Sequence, residues 1–396
     1  MKTSERSRIR WSSEVSPPRL SSHQRLIVQL SVQLDGVELA DRPEKGRLLM
    51  FAQVADSRNL IWQSHAQMDF DKVKEGVRSQ YLNVVFSAFV LPGDYRVALG
   101  IVDTKTGEHG IHEERLRVAP LKNDPLPDAW SGLPPVEFLI PADAPDSWYL
   151  PSESAPLHLP VSARRSVQVD VLVNLTPSER ATGSLGAQNN NLRVLLPALK
   201  AISQMKIQNG ILNVAALDLV HQKVAFHQDR LDGLDWNALK AALSVNSAAT
   251  IDLKSLEDRK RSAAFFVSEV ARRFDATGEP QARVLIVLSS SVEFENGEDL
   301  HAIEAEPSTD RRIFYIRYQA LVHRDRPEAR IVPMGGHHGM GGGAGDWRRP
   351  GTNREVVQAD QLEHTLKPLN PQLFDIAEPK DFRKALAAIV AEISRM

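Results

Sequence analysis

The residues of this chain best suited to chemistry fall in three places. At the end of the apolar run Val167 to Val173, the positions Asn174, Thr176 and Ser178 present an amide and two hydroxyls at every second residue. Their oxygens are donors of the kind a hard cation takes, although such a cation is commonly held with carboxylates as well. The same residue types also cap a following helix by accepting hydrogen bonds from its free backbone N–H groups. A second apolar run, ARVLIVLSSS, ends in Ser289, Ser290 and Ser291, where a nucleophile could sit. No histidine and acid fall at a spacing that would activate one of these serines. His337 and His338, with Asp346, are imidazole and carboxylate donors for a transition metal, set in the glycine-rich stretch VPMGGHHGMGGGAGDWRRPG. Adjacent histidines chelate one ion poorly, and so glycine-rich a segment loses much entropy on ordering, so a mobile insertion is expected there.

Other catalytic signatures are absent. The chain has no GxxxxGK[ST], HExxH or GxSxG, and its glycine-rich stretch does not stand between a strand and a helix as a dinucleotide fingerprint does. His221, His227 and His364 read as strand-edge or surface residues, and the acidic stretch Glu293 to Glu306 reads as a solvated loop. With 25% charged residues and a formal net charge of -2, nothing points to capture of nucleic acid or of an anionic membrane. The absence of cysteine excludes disulfides, thiolate metal sites and a cysteine nucleophile. No apolar run has the length of a signal-peptide core or a membrane span. The expectation is a soluble, cytoplasmic chain, or an exported one if a leader lies upstream.

These residues must be positioned by two kinds of element. From Arg25 to Val118 the apolar residues recur in short alternating runs divided by Asp35-Gly36, Pro92-Gly93 and Thr106-Gly107, a pattern of antiparallel strands and tight turns. An immunoglobulin-like sandwich is predicted over residues 25–119, after a flexible N-terminus at 1–24. Between Pro120 and Pro160 lie ten of the 24 prolines, so an extended linker is expected at 120–164, pinned by Trp130, Phe138, Trp148 and Tyr149. Beyond it, strands such as SVQVDVLVN, ARVLIVLSSS and RRIFYIRYQ alternate with amphipathic helices, one of which places Leu192, Leu195, Leu196, Leu199 and Ile202 on a single face. That alternation predicts a mostly parallel sheet flanked by helices.

The order of elements over 165–396, with Asn174-x-Thr176-x-Ser178 closing the first strand, resembles the von Willebrand factor A domain. VLVNLTPSER, LIVLSS, FYIRYQ and LFDIAEPKDFRKALAAI also resemble landmarks of an uncharacterised bacterial group of such proteins. The resemblance implies a Rossmann-like fold whose first strand ends in a metal-ion-dependent adhesion site. Asn174, Thr176 and Ser178 match the Asp-x-Ser-x-Ser positions, Thr250 matches the loop threonine, and Ser289 stands where a second aspartate is expected. With both aspartates replaced the site carries no formal charge, and Glu179 and Glu293 are the nearest acids that could compensate. The resulting expectation is a non-enzymatic protein-binding module without metal, its binding face formed by Asn174, Thr176, Ser178, Thr250 and Ser289. The alternatives are a magnesium-dependent adhesion domain and, last, a hydrolase using Ser289 to Ser291.

Overall fold

The computed structural model describes residues 9–42, 46–70, 78, 80–139, 155–175, 185–219, 221–246, 262–274, 282–292, 310–318, 330–333 and 360–396. Strands come first: β1 (Trp11–Val15), β2 (Arg19–Leu20) and β3 (Leu26–Asp35) precede the short helix α1 (Gly36–Ala40), which Asp35 caps through the Val37 N–H. Then follow β4 (Arg47–Asp56), β5 (Ile61–Asp69), β6 (Gln80–Val90), β7 (Gly93–Asp103), β8 (His109–Val118) and β9 (Val136–Phe138). The turn between β7 and β8 is built by Asp103, whose carboxylate accepts from the Lys105 and Thr106 N–H groups, and by Gly107 at φ +74, a backbone conformation in which a side chain would be strained.

Two antiparallel sheets face each other across one core. The first runs β1-β3-β6, with β2 on β3 and β9 on β6, and the second runs β5-β4-β7-β8. Alternation dictates this arrangement: Val28, Leu30, Val32 and Leu34 of β3 point inward with Leu48, Met50, Ala52 and Val54 of β4, all between 0% and 1% exposed. Burying one such side chain stabilises the fold by about 1.5–3 kcal/mol.

The second half contains β10 (Leu159–Asn174), α2 (Leu185–Ser203), β11 (Met205–Asp218), β12 (Lys223–Gln228), α3 (Trp236–Asn246), α4 (Ser262–Phe274), β13 (Ala282–Ser290), β14 (Arg311–Tyr318), β15 (Arg330–Pro333), α5 (Gln361–Leu366), β16 (Gln372–Ile376) and α6 (Pro379–Arg395). Its sheet has the order β12-β11-β10-β13-β14-β16, with β12 antiparallel at one edge.

The fold class predicted from sequence is corrected here. The described residues are mostly β, 49% in strands against 27% in helices, and the expected pairing of an immunoglobulin-like domain with a Rossmann-like, von Willebrand A-like domain does not describe them. Two of the three sheets are antiparallel throughout, the third is mixed, and β15 leaves the second half of the chain to pair antiparallel with β6 of the first, Val332 opposite Tyr81. Hydrophobic periodicity reports which face of a strand is buried but not which sheet supplies its backbone partners. The sequence reading places no strand between RRIFYIRYQ and QLFDI and expects a mobile insertion from Val332, whereas Arg330–Pro333 forms β15 on the edge that β6 supplies.

The two halves meet through a polar clamp. Arg383 of α6, 2% exposed, donates from Nε and Nη2 to the two carboxylate oxygens of Asp124 at 2.6 and 2.8 Å, and from Nη2 to the Leu126 carbonyl at 2.8 Å. Its guanidinium lies 4.7 Å from the Trp130 ring centroid, and the Trp130 indole N–H donates to the Gln24 carbonyl at 2.8 Å. Trp130 touches both major cores, and the Gln24 amide donates to the Pro379 carbonyl.

Beside the clamp sits His23, whose Nδ1 is sealed from solvent and has no hydrogen-bond partner among the described residues. Burial first, then the positive charges of Lys200 and Arg25, push its imidazole down to about 3. A lowered folded-state value contributes stability that is present above the unfolded value near 6.5 and is lost as pH falls towards 3. Wild-type stability should therefore fall between pH 6.5 and 4.5, and His23→Gln should flatten that slope. Chemical denaturation at four pH values measures it, and identical slopes in the two proteins would remove His23 from the explanation.

A candidate binding face at the strand ends

Asn174 is the last residue of β10 and Ser289 lies one residue before the end of β13. The two strands pair in parallel with Val173 opposite Leu288, so both residues arrive at the same end of the sheet. The Asn174 side-chain N–H donates to Ser289 Oγ at 2.9 Å, and the Ser289 hydroxyl donates to the Ser290 carbonyl at 2.6 Å. Both side chains are sealed, Asn174 at 1% and Ser289 at 0% exposure. Two residues 115 positions apart thus form a closed neutral pair. Thr176, Ser178, Glu179, Thr250, Glu293, His337, His338 and Asp346 lie outside the described residues.

Across the ladder, Ser289 stands opposite Arg317 of β14. Arg317 donates from Nε to Asp375 at 2.6 Å and from Nη1 to Glu363 at 2.7 Å, with Asp360 at 3.3 Å. The hydrogen bond to Asp375 outweighs partial burial, and with Glu363 and Asp360 it holds the guanidinium charged far above its ordinary range.

Asp360 does more than balance that charge. It is 5% exposed, caps α5 by accepting from the Leu362 N–H, and accepts from the Val292 N–H that follows β13. Its other oxygen accepts from the Tyr315 hydroxyl at 2.6 Å. Burial, and then the neighbouring Asp360 charge, push the Tyr315 phenol well above its usual range, so it stays protonated as a donor.

Sequence reading missed Arg317, Asp360 and Tyr315. A signal was present: an arginine inside the apolar strand IFYIRY must find acid partners when its strand is buried. Asp360, three residues ahead of Glu363 at a helix start, was a legible cap.

The Asn174 and Ser289 side chains are satisfied by each other and by backbone, while the Ser290 Oγ is sealed with no hydrogen-bond partner among the described residues. Ser289 Oγ accepts from an amide and donates to a carbonyl, with no base bonded to it, whereas a nucleophile requires an accessible oxygen and a base within reach. Among the described residues no three His, Cys, Asp or Glu side chains are placed to hold a metal ion. The acids that converge at this end converge on Arg317.

A shallow cavity of about 390 Å³ lies towards the other end of β10, where Gly210 abuts Val167 beside Gln168, Asn209 and Arg230. No described helix is long and apolar enough to cross a membrane.

No protein-family model matches the chain, and no curated protein matches it. Among solved structures it is similar to a Bordetella pertussis protein assigned the name ApaA, at 10% identity over 29% of this chain and 97% of that one, with a TM-score of 0.16. It is also similar to a Northeast Structural Genomics Consortium target, at 11% identity over 29% of this chain and 92% of that one, with a TM-score of 0.15. At these values neither likeness assigns a fold or a function.

Proposed function

We propose that this chain is a non-enzymatic protein-binding module whose contact surface is the strand-end face around Asn174, Ser289 and Arg317, without a bound metal. The observation that carries the reading is the buried Asn174–Ser289 hydrogen bond. It uses the amide donor and the hydroxyl internally, at the position where a nucleophile or a cation ligand would need its oxygen free. Around that sealed pair the surface carries partly exposed Glu363 and Asp375 and exposed Ser291. Arg317 offsets one of its three acids, so the described part of the face suits a partner with a positive surface.

The test has two arms. Magnesium or manganese at millimolar concentration should leave the melting temperature unchanged, both in the wild type and in Asn174→Asp, where a carboxylate has been restored. The restored charge, buried beside Ser289, should lower stability by about 1–3 kcal/mol relative to wild type. A melting temperature that climbs with metal would replace this reading by the adhesion one.

In the second arm, proteins captured by the full chain from its source cells should be lost with Ser291→Arg and kept with Arg58→Glu on a distant exposed turn. Equal capture by both variants would sink the assigned face, and ester hydrolysis abolished by Ser289→Ala would sink the non-enzymatic reading.

A further inference from the structure

The four-stranded sheet ends in two long outer strands that differ in chemistry. β8 carries Glu113, Glu114, Arg115 and Arg117, the kind of charge that keeps an edge from pairing with another chain. β5 carries no Lys, Arg, Glu, Asp or Pro from Ile61 to Met68, and its outer edge has no strand on it among the described residues. The remaining sheet ends are six residues or shorter: β1, β12, β15 and β16.

Two further observations mark β5 as incompletely covered. Among the described residues only three large hydrophobic side chains are exposed, and two of them, Leu60 at 50% and Ile61 at 55%, stand where β5 begins. Its inward side chains Trp62, Ala66 and Met68 pack on the sandwich core but stay only partly buried, whereas their neighbours on β4 are sealed. The core is thus open along this edge.

We infer that β5 is a homodimer interface, pairing antiparallel with β5 of a second copy across a two-fold axis at His65. The occupant follows from the strand's complementarity to itself. His65 is the midpoint of Ile61–Asp69, so the two-fold register places Trp62 opposite Met68 of the second copy and Ser64 opposite Ala66 on the inner face. On the outer face Gln63 meets Gln67, and the single charge, Asp69, meets Ile61. No acid meets an acid, the thioether lies against the indole, and the two sheets become one of eight strands. A basic or acidic peptide would find no charge to recognise along this stretch.

The full chain tests this directly, because it contains no cysteine and each introduced thiol is therefore unique. Sedimentation equilibrium should return twice the 44.0 kDa chain mass, and Gln63→Lys/Gln67→Lys should return a folded monomer whose far-ultraviolet circular dichroism spectrum matches the wild type's. Under mild oxidation His65→Cys should form a disulfide-linked dimer, because residues directly opposite in an antiparallel pair lie within disulfide reach. Gln63→Cys alone should remain unlinked, while a mixture of Gln63→Cys with Gln67→Cys should link. A wild type that stays monomeric at its highest soluble concentration would overturn the proposal. So would a dimer that survives the two lysines, or one in which Gln63→Cys links as fast as His65→Cys.

Discussion

Arg383→Ala is expected to lower the free energy of unfolding by about 3–5 kcal/mol, the size of effect seen when one partner of a buried ion pair is removed. The geometry places Arg383 at that level rather than at the near-zero contribution of a surface pair. Its side chain is 2% exposed and that of Asp124 12%, the contact is bidentate, and the Leu126 and Gln24 carbonyls take further guanidinium N–H groups. Burial alone would raise the Asp124 carboxyl, but the Arg383 hydrogen bond and charge bring it below the usual range. In the variant that carboxylate stays buried without its cation, which is the source of the cost. Asp124→Ala should cost a similar amount, and the double variant should cost clearly less than the sum of the two. Urea denaturation of the three proteins measures this. Additive losses would mean that the two groups act separately and that the clamp does not hold the halves together.

The second large effect is expected at Asp360. Replacing it with alanine deprives the Tyr315 hydroxyl and the Val292 and Leu362 N–H groups of their acceptor in a site that water does not reach. Each buried group left unsatisfied costs about 1–3 kcal/mol, so a total of about 3–5 kcal/mol is expected after local relaxation. Asp360→Asn keeps an acceptor and should lose about half of that, and Tyr315→Phe should lose about 1 kcal/mol. Arg317 retains Asp375 and Glu363 in every case. The loss should also be local: hydrogen exchange should speed up at the start of α5 and at Val292 before it does so in the sandwich. Uniformly faster exchange, or an Asp360→Ala protein within 1 kcal/mol of wild type, would show that this network does not anchor the strand-end face.

Both effects belong to residues whose partners are remote along the chain, Arg383 with Asp124 at a separation of 259 and Asp360 with Tyr315 at 45. Neither pairing could be read from pattern. The same holds for Asn174 and Ser289, except that strand ends were visible on both sides. Two polar residues at the ends of buried strands are candidates for one another once the strands are known to be neighbours and parallel. Thus the site's first pair was legible and its charged surround was not.

What the amino-acid sequence determined alone was local: where strands and helices lie, and which of their faces are buried. The run Leu192, Leu195, Leu196, Leu199 and Ile202 forms one buried helix face, and the alternation in RLLMFAQVAD seals Leu48, Met50, Ala52 and Val54. Those features depend on side-chain directions that repeat every 3.6 or two residues, so neighbours a few positions away suffice to specify them. Only the tertiary structure decided that β15 completes a sheet begun more than two hundred residues earlier, that the described residues are mostly β, and that α6 fastens the two halves through Arg383. Those choices rest on which unpaired edge and which buried acid were within reach once the chain had closed its long loops. That competition leaves no periodic trace in the sequence.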